Sequence, residues 1–191
     1  MIKFYTNKQL SQKFNLNIAK WKRWSREFLP PDPLGGLQSG FARQYNQNQA
    51  FTVFLGGHLV SDLKFTIPET KDILNDLNQW LLDYDFYFNF SSARKPGETS
   101  VPRAKSYQIA IIRNDISDAS VGAFSYVARG ALEDESTDFQ GVRVCQERFV
   151  ISSIGPGKSE IALVFAESHR VLGITALHKN FIARLQGAET G

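Results

Sequence analysis

Between Ile18 and Phe28 four cations, Lys20, Lys22, Arg23 and Arg26, are interleaved with Trp21, Trp24 and Phe28. Arg43 and Tyr45 follow after a stretch rich in proline and glycine. An arginine guanidinium grips a phosphate with a planar fork of donors, a lysine ammonium adds a point charge, and a phenol adds one neutral hydrogen bond. This set of side chains suits the binding of a polyanion. The charge distribution agrees with it. Residues 1–50 carry eight cationic residues against Glu27 and Asp32, a net of +6, whereas residues 51–82 are at −2 and residues 83–191 at −1. The chain total of +3 therefore conceals a basic first quarter, where a polyanion surface is expected.

Other groups capable of chemistry are sparse. One cysteine, Cys145, and three dispersed histidines, His58, His169 and His178, offer neither an internal disulfide nor metal-ligand spacing. Cys145 lies in an apparent strand and reads as a small buried hydrophobe rather than a redox thiol. Gly155-Pro-Gly157-Lys158-Ser159 lacks the earlier glycine of a phosphate loop, and Pro156 removes an N–H donor, so it reads as a turn. Glu133-Asp-Glu135 with Asp138 lacks the glycine-punctuated spacing of a calcium loop and reads as solvated. No catalytic spacing, metal site or cofactor is expected, and the chain reads as a non-enzyme. With 42% hydrophobic and 21% charged residues it can bury a core. No apolar run reaches the roughly 18–20 residues that span a bilayer, and the start lacks a signal-peptide apolar region, so a cytoplasmic protein without a membrane partner is expected.

The elements that must position the cations are marked by caps. Thr6-Asn-Lys-Gln9 has the form of a capping box and opens a short helix from about Asn7 to Phe14. Asn15-Leu16-Asn17 makes a tight turn, and Asn17 caps a second helix over Ile18–Phe28. On that helix Ile18, Trp21, Trp24 or Ser25, and Phe28 recur at helical spacing and leave the cations on the other faces. Pro30-Pro31-Asp32-Pro33 stops it. Leu34–Gly40 reads as a loop or hairpin, with Phe41–Tyr45 alternating like a short strand. Asn46-Gln-Asn-Gln49 caps a helix weakened by Gly56-Gly57, and Thr66-Ile-Pro-Glu69 caps one carrying Ile73, Leu74, Leu77, Trp80 and Leu81. From Tyr84 the alternation of Tyr84, Phe86, Phe88 and Phe90 predicts a strand. Further strands are expected at residues 107–113, 121–128, 142–152 and 160–165, then a strand or turn and a terminal helix. The expected fold class is α+β: an all-α domain over 1–82, then a mainly antiparallel β domain with a C-terminal helix over 83–191.

Two short helices joined by a three-residue turn, the second basic, form the components of a helix-turn-helix. In order along the chain come Tyr5-Thr6-Asn-Lys-Gln-Leu10, the basic aromatic helix ending Glu27-Phe28-Leu29-Pro30-Pro31, the segment Phe41-Ala42-Arg43-Gln44-Tyr45, and two helices joined through Leu63-Lys-Phe65-Thr66-Ile67-Pro-Glu69. This order resembles the winged helix-turn-helix DNA-binding domain of MerR-type regulators over residues 3 to about 82. Phe41–Tyr45 is similar to the segment that closes the family's wing, with Arg43 and Tyr45 at its arginine and second tyrosine, and Lys64-Phe65-Thr66 is similar to the step before its last helix.

The resemblance implies a transcriptional regulator that binds double-stranded DNA, as a homodimer, with Lys20, Lys22 and Arg23 on or beside the groove-facing side of the recognition helix, where Arg26 can add a phosphate or base-edge contact. It implies phosphate contacts from Arg43 and Tyr45 on the wing. Tyr45 has a second reading, as an apolar plug beneath the wing, and Trp21 and Trp24 read as core. Three departures from the family stand out. Trp24 and a Lys-Arg pair occupy the recognition helix, Pro31–Gly40 is long for a wing, and a β-patterned domain follows where the family's long dimerisation helix is expected. Residues 83–191 are accordingly expected to sense a small-molecule or protein effector, or to oligomerise. Competing readings are an architectural or excision-type DNA-binding factor, and a protein-interaction module or enzyme whose activity lies in the β-rich domain.

Overall fold

The computed structural model describes residues 3–32, 43–87, 104–114, 122–132, 135–146, 148–155 and 169–187. The protein is α+β and divides into two compact units. The first comprises Met1–Phe90 with Leu177–Gly191, and the second Ser91–Ala176.

The first unit begins with β1 (Tyr5–Thr6), α1 (Asn7–Lys13), α2 (Ile18–Phe28) and β2 (Gln44–Tyr45), followed by α3 (Gln47–Ser61) and α4 (Ile67–Asp83). The expected capping boxes form at Thr6 with Gln9 and at Thr66 with Glu69, and the cap expected at Asn46 is a full box with Gln49. Each satisfies backbone N–H groups that a helix start otherwise leaves without partners. At the end of α1, Asn15 adopts a left-handed φ of 53°. Its N–H bonds to Gln12 O, and that of Leu16 to Ser11 O. This paired closure ends the helix within one residue, and Asn17 Oδ1 then accepts from Ala19 N to start α2.

The core of this unit is aromatic. Trp21, wholly buried, stacks on Phe14 at 5.6 Å and meets Tyr45 edge-on at 5.9 Å. Ile18, expected on the same face, is exposed at the first residue of α2. Gly56 and Gly57 do more than weaken α3. A Cβ at Gly57 would lie 2.3 Å from Trp24 Cζ3, and one at Gly56 would lie 2.5 Å from Phe28 Cδ2. The glycine pair thus forms the notch that receives α2. We expect Gly57→Ala to destabilise the protein by about 1–3 kcal/mol, the usual range for overpacking a filled core. A urea midpoint equal to that of the wild type would refute this role.

The strand expected from Tyr84 is corrected over Tyr84–Tyr87. Tyr84 caps α4, Asp85 takes φ 59°, and the N–H groups of Asp85 and Phe86 close on Leu82 O and Leu81 O. The alternating aromatics are explained by stacking of Tyr84 and Phe86 on Trp80, at 4.4 and 5.6 Å, not by a pleat. Tyr87 is buried against Phe51, and its hydroxyl lies 3.0 Å from Thr52 Oγ1. Burial pushes the Tyr87 phenol above its ordinary pKa.

The second unit contains β3 (Ser106–Arg113), β4 (Phe124–Ala131), β5 (Glu135–Phe139), β6 (Val142–Gln146), β7 (Phe149–Ile154) and β8 (His169–Leu172). The sheet order is β7-β4-β3-β8, antiparallel throughout, beside a separate β5–β6 hairpin. Four successive residues of β3, Ile109–Ile112, are buried. Because neighbours along a strand point to opposite faces, the sheet is covered on both sides at that level. The expected strand at 121–128 lies at Phe124–Ala131. The expected run at 142–152 is two strands, and residues 135–139, read as part of a solvated acidic loop, form β5. The turn joining β5 to β6 has positive φ at both Gln140 and Gly141, the backbone twist that suits a two-residue hairpin. The expected strand at 160–165, most of the phosphate-loop-like segment and nearly all of Pro31–Gly40 lie outside the described residues.

One helix, α5 (Ile174–Gln186), follows β8 after a single glycine. Its first turn belongs to the second unit, where Thr175 Oγ1 accepts from Tyr107 N at 2.8 Å. From Leu177 onward it belongs to the first unit, although the sequence had suggested that everything after residue 82 would form a separate domain. The reason is the apolar stripe on α5. Phe181 lies 5.4, 5.1 and 5.6 Å from Phe14, Phe51 and Phe54. The ends of α1 and α5 also cap one another: Lys13 Nζ donates to Leu185 O, and Arg184 donates to Phe14 O.

His178, on the same stripe, meets Phe51 and Phe86 edge-on at 4.9 and 5.5 Å. Burial lowers its pKa, so the folded protein holds it neutral. The unfolded chain then binds more protons once pH falls below about 6.5, and stability is lost as pH drops from there toward the lowered value. Between pH 7.5 and 5.5 we expect the urea midpoint of the wild type to fall further than that of His178→Leu. Equal falls would show that His178 does not carry this dependence.

Candidate nucleic-acid interface

The candidate interface is built on α2 and the β1–β2 ribbon. At about 100° per residue, the buried Trp21, Trp24 and Ser25, with the half-buried Phe28, form one face of α2 and turn the cations outward. Lys20, Lys22, Arg23 and Arg26 are all exposed. They do not form one cluster. Lys22 and Arg26, four residues apart, lie on the side toward the ribbon, and Arg23 lies beside them on the outer face. Lys20 is roughly 160° around the helix from Lys22, with its ammonium 4.7 Å from the Trp24 ring.

The single acid of α2, Glu27, is drawn to Lys71 on α4 at 2.8 Å. The Lys71 hydrogen bond, then its charge, hold the Glu27 carboxyl below its ordinary range, and the charges of Arg23 and Arg26 add to this. Lys71 thereby engages the Glu27 carboxylate from the α4 side.

The ribbon pairs Tyr5 with Tyr45 and Thr6 with Gln44. It fixes Arg43, whose guanidinium donates to Pro30 O at 2.8 Å and lies 5.6 Å from the Tyr45 ring centre. Arg43 therefore ties the entry of the ribbon to the exit of α2 while keeping other guanidinium N–H groups in reserve.

Tyr45 does not present its hydroxyl as a surface phosphate contact in this structure. It is 1% exposed, with its hydroxyl 2.7 Å from Ser25 Oγ and donating to Asn7 Oδ1 at 2.6 Å. The phenol is the buried pin between α1, α2 and β2, in keeping with the plug reading and with the rule that a buried hydroxyl finds partners. Neither Asn7 nor Ser25 was singled out as part of this network from the sequence. The available signal was Ser25 on the apolar side of α2, a polar group that needs a partner once buried.

Lys22, Arg26 and Arg43 border a cleft of about 600 Å³. Asn7, Ser25 and Tyr45 also line it, while Ala19, Leu29 and Pro31 supply apolar wall and Asp32 the one carboxylate. The arrangement offers converging donors and positive charge beside an exposed helix. Among the described residues no helix is long and apolar enough to cross a membrane, and no three metal-ligating side chains gather. No protein-family model matches the chain, and no curated protein is significantly similar to it.

Proposed function

We propose that this protein is a non-enzymatic, cytoplasmic DNA-binding transcriptional regulator whose first unit is a MerR-type winged helix-turn-helix. In this reading α2 enters the major groove of double-stranded DNA, Arg43 contacts phosphate from the wing, and the protein acts as a homodimer. The second unit takes the effector or sets the spacing of the two heads. The observation that carries the reading is the exposed set Lys22, Arg23 and Arg26 beside Arg43, on a helix whose only acid is engaged by Lys71. An 11-residue helix is roughly 16 Å long, enough to lie across a groove about 12 Å wide.

Phosphate neutralisation releases counterions, so the affinity for duplex should fall linearly with salt on logarithmic axes. Selecting duplexes from a random pool with the purified protein, then titrating the winners at several salt concentrations, tests both parts of the proposal. A two-fold symmetric site and a slope of several units are expected. Failure to enrich any duplex, with no salt-dependent binding, overturns it.

A further inference from the structure

The cleft between α2 and the ribbon has a shape and a polarity of its own. A helix lying in a groove contacts DNA with a convex surface, whereas a concave space of about 600 Å³ falls in the range of small-molecule sites. Its hydrogen-bonding groups are biased in one direction. The Tyr45 hydroxyl has one proton and gives it to Asn7 Oδ1, so Ser25 must donate to Tyr45. That orientation uses the acceptor of the Asn7 amide and leaves its NH2 group to donate, on a residue that lines the cleft. Lys22 and Arg26 add donors with no carboxylate at salt-bridge distance among the described residues, and Arg43 spends only part of its fork on Pro30 O. The lone carboxylate, Asp32, is itself partnered within the protein.

Three cations and an amide exceed what a monocarboxylate can compensate, but they match the charge and the three free oxygens of a phosphomonoester. Ala19, Leu29 and Pro31 provide an apolar wall that a bare phosphate ion cannot use. We infer that this cleft binds a small organic phosphate, its phosphoryl group on Lys22, Arg26 and Arg43 and its apolar or aromatic body against Leu29 and Pro31. The occupant then competes with duplex DNA for the same cations, a consequence that rests on the DNA-binding reading, whereas the binding itself does not.

The test uses the full chain at fixed salt, with adenosine monophosphate, inorganic phosphate and adenosine as separate probes, followed by backbone amide NMR. Adenosine monophosphate should bind at least tenfold more tightly than either of the other two. It should shift the amides of Ala19–Leu29 and Arg43–Asn46, lose at least tenfold in affinity in Lys22→Ala/Arg26→Ala, and raise the apparent Kd for duplex. Binding no tighter than inorganic phosphate, or shifts centred elsewhere, overturns the site. Duplex binding without nucleotide binding leaves the DNA reading standing and removes this one. Nucleotide binding without duplex binding does the reverse and removes the competition.

Discussion

Lys22→Ala/Arg26→Ala is expected to weaken duplex binding by about 100-fold and to lower the salt slope by roughly two, while leaving the thermal midpoint unchanged. Each cation is assigned one phosphate or base contact, worth about tenfold or 1.4 kcal/mol, at the low end for charge-assisted hydrogen bonds. Both side chains are exposed and neither is used in the packing of α2, so the change in stability should stay within about 0.5 kcal/mol. The pair is a sharper probe than Arg43, whose bond to Pro30 O also holds the ribbon against the end of α2. Lys20→Ala provides the internal comparison. With its ammonium over Trp24 on the far flank, it should cost well under tenfold. Anisotropy titrations of the two variants in parallel decide the matter: equal losses would mean that the ribbon side of α2 is not the contact surface.

Phe181→Ala should destabilise the first unit by about 3–5 kcal/mol, the largest stability effect expected of any single substitution considered. The ring is wholly buried, and it joins Phe14, at the C-terminal cap of α1, to Phe51 and Phe54 of α3. Its loss removes the apolar area and leaves a cavity among side chains that are themselves fixed by capped helices. Phe181→Leu should recover much of the loss, because it refills most of the volume. Urea unfolding of the two variants measures this. A Phe181→Ala midpoint close to that of the wild type would mean that α5 contributes little to the first unit. A lower duplex affinity in Phe181→Ala, with Lys22 and Arg26 intact, would further show that the terminal helix supports the presentation of α2.

How much of this was legible beforehand varied with the range of the interaction involved. The capping boxes at Thr6 and Thr66 and the cap at Asn46 came directly from residues within one turn of chain, where a cap is satisfied. The limits of α2 came from the Asn17 cap and the prolines after Leu29, and the outward direction of its cations from the spacing of Trp21, Trp24 and Phe28. The short-range signal misled at Tyr84–Tyr87. A two-residue alternation of aromatics is shared by a pleated strand and by a helix end whose rings fold back on Trp80, and only the tertiary partner distinguishes them. Residues 142–152 failed in a different way, since strand-forming residue types do not state where one strand ends and another, belonging to a different sheet, begins.

The sequence by itself determined which side chains carry positive charge and that they sit on an amphipathic helix after a tight turn. Those properties depend on residue type and on the fixed geometry of a helix. Only the tertiary structure decided that Tyr45 is a buried pin rather than an exposed phosphate contact, that Glu27 is engaged by Lys71 of α4, and that α5 completes the first unit. Each of these turns on contacts between residues distant in the chain: Tyr45 with Asn7 and Ser25, Glu27 with Lys71, and Phe181 with Phe14. Such contacts are selected by the volume and polarity of a whole core, which no local spacing encodes.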